Sequence, residues 1–186
     1  LLLLMKKIFY WSPYLSNVAT IRNVVNSAYS LIKYDKISFR SYILDVFGEW
    51  DTKKKELSKK KIEYLRISNL KINLPISGFL KSRYLSIRIF FSSIYPLLKL
   101  LKEEKPDYLI VHLLTFIPLT LLFFFNFETK FILRISGLPR LNFFRKFLWK
   151  IINKKITLVT CPSYETMDYI KNTKIFDEKK IVVLHD

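Results

Sequence analysis

Short apolar runs alternate along the chain with longer stretches in which apolar residues recur at helical spacing. The runs Lys7–Trp11 (KIFYW), Ser38–Phe47, Ile62–Ile67, Tyr108–Leu113 (YLIVHL), Lys130–Ile135 (KFILRI), Ile156–Thr160 (ITLVT) and Lys180–His185 (KIVVLH) read as strands. Helices are predicted over about Val18–Lys33 and about Leu85–Glu104, the second bent at Pro96, where proline removes a backbone hydrogen bond. The segments between the later strands have helical length and pattern. Asp51–Lys61 (DTKKKELSKKK) reads as a solvated, lysine-rich loop. Apolar strands separated by helices predict an α/β domain, a Rossmann-like parallel sheet with helices on both faces. No internal repeat is visible.

One segment pulls the other way. Tyr108–Phe127 carries no formal charge, and about twenty residues suffice to cross a bilayer core. His112, Thr115, Pro118, Thr120 and Asn126 interrupt it. Thr115 is placed as an N-cap, with Pro118 tolerated in the first helical turn. Strand, tight turn and buried helix therefore account for the same letters better than a membrane span.

Composition narrows the class. The chain has 186 residues, 51% of them hydrophobic and 16% aromatic, which excludes a disordered chain and suits one domain. The single cysteine, Cys161, cannot close an internal disulfide, so a reducing compartment is the default. Charge is lopsided: 32 Lys+Arg against 15 Asp+Glu, a net +17. Such a balance attracts polyanions, whether nucleic acid, anionic membrane or phosphorylated substrate. The aromatics fall mostly in apolar runs and read as core, which argues against nucleic acid. Leu1–Leu4 read as upstream translation ahead of a start at Met5-Lys6-Lys7, leaving one domain over residues 5–186. The stop at Asp186, directly after an apolar run, reads as a truncation.

Parallel sheets bind ligands beyond the carboxyl ends of their strands. Ser12, Asn17 and Thr20 follow the first strand, and His112 and Thr115 close the YLIVHL strand. Arg134, Ser136 and Gly137 end the KFILRI strand, Cys161 to Glu165 follow ITLVT, and His185 and Asp186 close the last. Serine and threonine at helix starts expose N–H groups suited to an anion, although a structural cap looks the same in sequence. His112 fits either a buried core histidine or a ligand contact. One cysteine and two distant histidines give no metal site. The glycine-free turn SPYLSNVAT excludes a dinucleotide fingerprint and a Walker loop, and no nucleophile elbow is present.

The stretch Arg140–Lys155 (RLNFFRKFLWKIINKK) contains no acid. Arg140, Arg145, Lys146, Lys150 and Lys154 form a basic side; Phe144, Leu148 and Ile151, with Phe147 beside them, form an apolar face. Such a helix either covers the sheet or lies on an anionic membrane surface, and both can hold for one helix. Trp149 falls off the apolar face and suits an interfacial anchor.

With these segments in order, the chain resembles the N-terminal, acceptor-side domain of GT-B glycosyltransferases of the family 4-like kind. The stretches KKIFYWSPYLSNVATIRNVVNSAYSL, LLKEEKPDYLIVHLL, FILRISGLPRLN and ITLVTCPSYETMDYI carry the resemblance, which spans nearly all of Met5–Asp186. The family's first loop usually contains glycine, where this chain has Asn17 to Thr20. Ser136 replaces a histidine often found there, and no catalytic residue is assigned. The C-terminal domain that binds the nucleotide sugar lies outside this sequence, so the isolated chain should not turn over.

The resemblance implies transfer of a sugar from a nucleotide-sugar donor to a glycan or lipid-linked acceptor in surface polysaccharide synthesis. It implies no cofactor besides that co-substrate. The single cysteine and the basic stretch Arg140–Lys155 predict a cytoplasmic enzyme, peripheral on the inner face of the plasma membrane. Ser12, Asn17, Thr20, His112, Arg134, Ser136 and Gly137 would line the acceptor side. The rival readings are a basic Rossmann-like binding module and a single-span membrane protein, both without catalytic activity.

Overall fold

The computed structural model describes residues 5–16, 18–34, 39–72 and 79–185. The expectations for Leu1–Leu4, Asn17, Ser38 and Asp186 lie outside the described residues. Seven strands form one parallel sheet: β1 (Lys6–Trp11), β2 (Phe39–Asp45), β3 (Glu63–Arg66), β4 (Tyr108–Val111), β5 (Lys130–Arg134), β6 (Ile156–Cys161) and β7 (Ile181–Val183). Their order is β3-β2-β1-β4-β5-β6-β7. Chain order reverses between β1 and β4, the switch point where open sheets leave a crevice.

Among the described residues six helices connect them: α1 (Ala19–Tyr34), α2 (Lys54–Lys59), α3 (Phe79–Glu104), α4 (Phe116–Phe124), α5 (Phe143–Ile152) and α6 (Tyr164–Asn172). Alternating strand residues feed two cores. Ile8, Tyr10 and Ile43 pack against Val24, Val25 and Ala28 of α1 and Leu57 of α2. Phe9, Trp11, Leu44, Leu109 and Phe131 face the larger core with α3, α4, α5 and α6. Each central strand is apolar on both sides because each side meets one of these cores.

Several sequence expectations change. The lysine-rich connector is not a loop: a 3₁₀ turn (Asp51–Lys53) leads into α2. Fully buried Trp50 and Leu57 anchor it, and Lys53 and Lys60 pair with Glu56 at 3.1 and 3.5 Å. Two apolar anchors and mutual ion pairing outweigh the lysine count. The long helix starts at Phe79 and continues through Pro96. Its buried stripe, Ile89, Ser93, Leu97 and Leu101, recurs every fourth residue. The last strand is shorter than expected, and His185 lies beyond it with Nδ1 3.1 Å from the Pro162 carbonyl.

The uncharged stretch does not span. β4 pairs with β1 and β5, and α4 is a separate helix of nine residues. Among the described residues one helix segment, Arg83–Glu104, is long and apolar enough to cross a membrane. Its buried side packs on α4 and in the larger core.

Helix α5 is rotated relative to the expected face. Leu148, Trp149 and Ile152 are buried, while Phe144, Phe147 and Ile151 are exposed. Trp149 is therefore no interfacial anchor; its ring packs 5.5 Å from that of Phe176. Apolar residues cover more of α5 than the sheet can bury, so the docking partner selects the stripe.

Candidate functional site

A cavity of about 870 Å³ opens over the carboxyl ends of β4 and β5, between the first halves of α3 and α5. This is the size of a small-molecule site. His112, the residue after β4, and Arg134, the last of β5, form its polar floor with Ser136 and Gly137 of the following loop. Parallel pairing of β4 with β5 brings these two strand ends side by side. Gly137 has φ +142°, and a Cβ there would meet no atom within 4 Å. It lets the backbone turn past the cavity in a conformation that side chains disfavour.

His112 is 4% exposed, and neither ring nitrogen finds a hydrogen-bond partner in the protein. Its backbone N–H donates to the Trp11 carbonyl at 2.9 Å, and its ring lies 6.2 Å from that of Tyr10. Burial, reinforced by the nearby Arg134 charge, pushes its pKa down to about 3, so the imidazole is neutral at cellular pH. Arg134 is buried, and its Nη2 donates to the Leu184 carbonyl at 3.2 Å, tying β5 to the chain beyond β7. The buried Cys161 thiol is pushed up to about 11 by desolvation and is a poor nucleophile.

Much of the remaining wall comes from α3, which the sequence did not single out for chemistry. Arg83, Ile87, Phe90 and Phe91 of α3 face the cavity, as do Phe144 and Arg145 of α5. The N-terminus of α4 also opens there; Thr115 occupies its N-cap but its side chain makes no capping bond. Asn142, by contrast, caps α5 through a bond from Arg145 N at 2.9 Å. The sequence signal for α3 was the excess of apolar positions around the helix: more than one face can bury.

Of the expected site residues, His112, Arg134, Ser136 and Gly137 converge on the cavity. Ser12 is fully buried at the end of β1, its hydroxyl unpartnered, and does not line the cavity. Thr20 is buried in the first turn of α1 and does not line the cavity. The expected basic side of α5 is solvent-facing at Lys146, Lys150 and Lys154, with Arg140 exposed before the helix. Arg145 turns inward, its Nη1 donating to the Arg140 carbonyl at 3.0 Å. The aromatics are not confined to the core: Tyr84, Phe91, Tyr95, Phe143 and Phe144 are exposed. Among the described residues no three His, Cys, Asp or Glu side chains are grouped to hold a metal ion.

No family model matches the chain, and no curated protein matches its sequence. Solved structures do. A glycosyltransferase from Rickettsia africae ESF-5 superposes with a TM-score of 0.67 at 17% identity, over 97% of this chain and 43% of its own. A UDP-GlcNAc 2-epimerase from Neisseria meningitidis, bound to UDP-GlcNAc, gives 0.63 at 16% identity, over 96% and 45%. A lipopolysaccharide outer core galactosyltransferase gives 0.58 at 14% identity, over 98% and 46%. The chain thus spans under half the length of these proteins. At such identities the likeness is one of fold, and it is specific: this chain has the Rossmann-like α/β half-domain of the GT-B architecture that these glycosyltransferases and epimerases share.

Proposed function

We propose that the chain is the acceptor-side half of a glycosyltransferase, moving a sugar from a nucleotide-sugar donor to a glycan or lipid-linked acceptor in surface polysaccharide synthesis. The observation that carries this reading is the cavity beside the switch point, whose floor holds a buried histidine with both ring nitrogens unpartnered. A buried polar group without a partner costs about 1–3 kcal/mol, which a bound hydroxyl or phosphate would recover. Solved neighbours of the same fold are glycosyltransferases and epimerases, and several of those structures contain UDP or a UDP-sugar.

The roles follow from the chemistry. His112, with a pKa near 3, is too weak a base to remove a proton at neutral pH, so it orients an acceptor group by hydrogen bonding. Arg134 supplies fixed positive charge where negative charge gathers during transfer. Ser136 and the Gly137 backbone offer the remaining polar contacts. The donor would be held mainly by a second domain, with no cofactor besides it. The exposed cations of α5 and its approach favour peripheral attachment to the anionic cytoplasmic leaflet.

The test is acceptor-dependent release of nucleoside diphosphate by the complete gene product, supplied with UDP-sugars and a cell-envelope extract. His112→Ala is expected to reduce release at least tenfold. Conversion of UDP-N-acetylglucosamine to its 2-epimer without acceptor-dependent release would overturn the transferase reading. Attachment is checked by vesicle co-sedimentation, where equal binding to neutral and anionic vesicles would refute the charge argument.

A further inference from the structure

Two carboxylic acids lie buried in one short loop, and the chain supplies a counter-charge for only one of them. Asp45, the last residue of β2, and Glu49, four residues on, are both buried. Asp45 pairs with Arg66 of β3. Among the described residues no cation pairs with Glu49. A buried carboxylate without a counter-ion is strongly disfavoured, and such a group keeps its proton instead. The Glu49 side chain hydrogen-bonds that of Asp45, and ionised carboxylates only accept, so one proton lies between them. Glu49 donates; Asp45, beside Arg66, accepts. Burial, then the Asp45 charge, hold the Glu49 carboxyl well above its ordinary range, in line with that assignment.

The pair clasps the loop between them. The Val46 and Phe47 N–H groups donate to Glu49 at 3.0 and 2.8 Å, and those of Gly48 and Trp50 donate to Asp45 at 3.2 and 3.1 Å. The loop in turn holds two neighbours. The Tyr14 hydroxyl, from the connection between β1 and α1, donates to the Glu49 carbonyl, and its ring meets Trp50 edge-on at 5.2 Å. The Ile72 N–H, beyond β3, donates to the Phe47 carbonyl at 3.1 Å. Both neighbours lie at the carboxyl edge of the sheet, the β1–α1 connection beside the switch point.

The other ionisable groups around the pair are Tyr14, Tyr64 and Arg66, with Asp51 and its partner Lys54 alongside. Burial pushes Tyr14 up to about 12 and raises Tyr64 further, so both stay protonated near neutral pH. Asp51 is held below its ordinary range, chiefly by the bond from Lys54, and stays ionised. Arg66 keeps its charge throughout. Glu49 is the member whose charge can change.

We propose that Asp45 and Glu49 form a proton-sharing latch: with one proton between them they hold the Val46–Trp50 loop and, through it, Tyr14, and loss of that proton opens the loop and frees the β1–α1 connection while the sheet stays folded. Once ionised, the two side chains only accept, and they face one another in a dry site. Swinging Glu49 into water relieves them and gives up its two bonds from the loop N–H groups. Tyr14 then loses its anchor, because the Glu49 carbonyl moves with the loop. The sheet is spared, since the ladders of β1 with β2 and β4 do not involve these side chains. The latch is a two-state element biased by a single proton. It does not depend on the transferase reading and holds for whatever ligand the crevice takes.

Amide hydrogen exchange on the complete gene product from about pH 5 to 9, each rate corrected for its intrinsic pH dependence, tests the latch. Protection of the Val46–Trp50 amides is expected to fall about tenfold or more across that range, and that of Tyr14 with it, while β4 and β5 stay protected. Glu49→Gln keeps a donor for Asp45 and an acceptor for the loop but has no proton to lose, so its loop should stay protected throughout. Tyr14→Phe should leave the loop profile in place and abolish the pH dependence of the β1–α1 connection; persistence of that dependence would sink the coupling. A flat loop profile in the parent protein, or the same falling profile in Glu49→Gln, would overturn the proposal. If Glu49→Gln does not fold, the parent profile decides alone: a loss confined to the loop and Tyr14 supports the latch, and a loss shared by β4 and β5 refutes it.

Discussion

Two clusters of polar side chains sit at the carboxyl ends of this sheet, and they have opposite characters. Beyond β2 and β3 the two buried carboxylates have found partners. Asp45, fully buried, accepts from the Gly48 and Trp50 N–H groups at 3.2 and 3.1 Å, from the Tyr64 hydroxyl at 2.6 Å, and pairs with Arg66. Glu49 accepts from the N–H groups of Val46 and Phe47 at 3.0 and 2.8 Å. Beyond β4 and β5, His112 is as deeply buried, yet its ring has no partner and faces a cavity. A closed network rigidifies the fold, whereas an open one retains binding capacity for something else. Position at a strand end therefore does not make a residue functional; unmet hydrogen bonding beside free volume is the better sign.

The sharpest way to break this contrast is to empty the closed cluster. Asp45→Ala removes the acceptor for four donors and leaves Arg66 without its main partner. It should destabilise the domain by about 3 kcal/mol in urea unfolding. A loss below about 1 kcal/mol would mean that the cluster is not closed in solution. Gly48→Ala comes next. Gly48 has φ +96°, and a Cβ there would lie 3.0 Å from Asp51 Oδ2 and 3.2 Å from the Arg66 guanidinium. A cost of about 1–2 kcal/mol is expected from the backbone alone.

Glu49 offers a test by pH. Burial, then the neighbouring Asp45 charge, hold its carboxyl well above the ordinary 4.5, so the folded state binds a proton that the unfolded chain releases. Stability from this group is full below about pH 4.5 and is lost as pH rises through the raised value. The slope is at most about 1.4 kcal/mol per pH unit. Glu49→Gln should flatten that slope in urea midpoints measured from pH 5 to 8.

His112→Phe probes the open site. Because the ring makes no hydrogen bond to the protein, stability should change by less than about 1 kcal/mol, while acceptor binding falls at least tenfold. The substitution should also remove an acid sensitivity of opposite sign to that of Glu49. His112 has a folded pKa near 3, so its contribution is full above about pH 6.5 and is lost as pH falls toward 3. A large stability loss in this variant would assign the histidine to the core instead.

Much of the architecture was legible because buried parallel strands leave short, doubly apolar runs in the sequence, and KIFYW, YLIVHL, KFILRI and ITLVT are such runs. The floor of the cavity was legible as well, since His112, Arg134, Ser136 and Gly137 follow from knowing where strands end. Its walls were not. Arg83, Phe90 and Phe91 lie on α3, far from the floor in sequence, and only the crossover from β3 to β4 lays them over it. The lysines of α2 concealed a helix whose single buried Leu57 carries the packing.

By itself the sequence determined the alternation of strands and helices, the parallel sheet and the loops at its carboxyl edge, because periodicity and turn chemistry are local. The tertiary structure alone decided which stripe of α5 is buried, which aromatics of α3 reach solvent, and which polar strand-end groups satisfy one another. Those outcomes depend on partners distant in the chain. An amphipathic helix with more apolar surface than its neighbours can cover has several faces of similar burial, and packing selects among them. That selection leaves Phe91 and Phe144 at the mouth of the cavity.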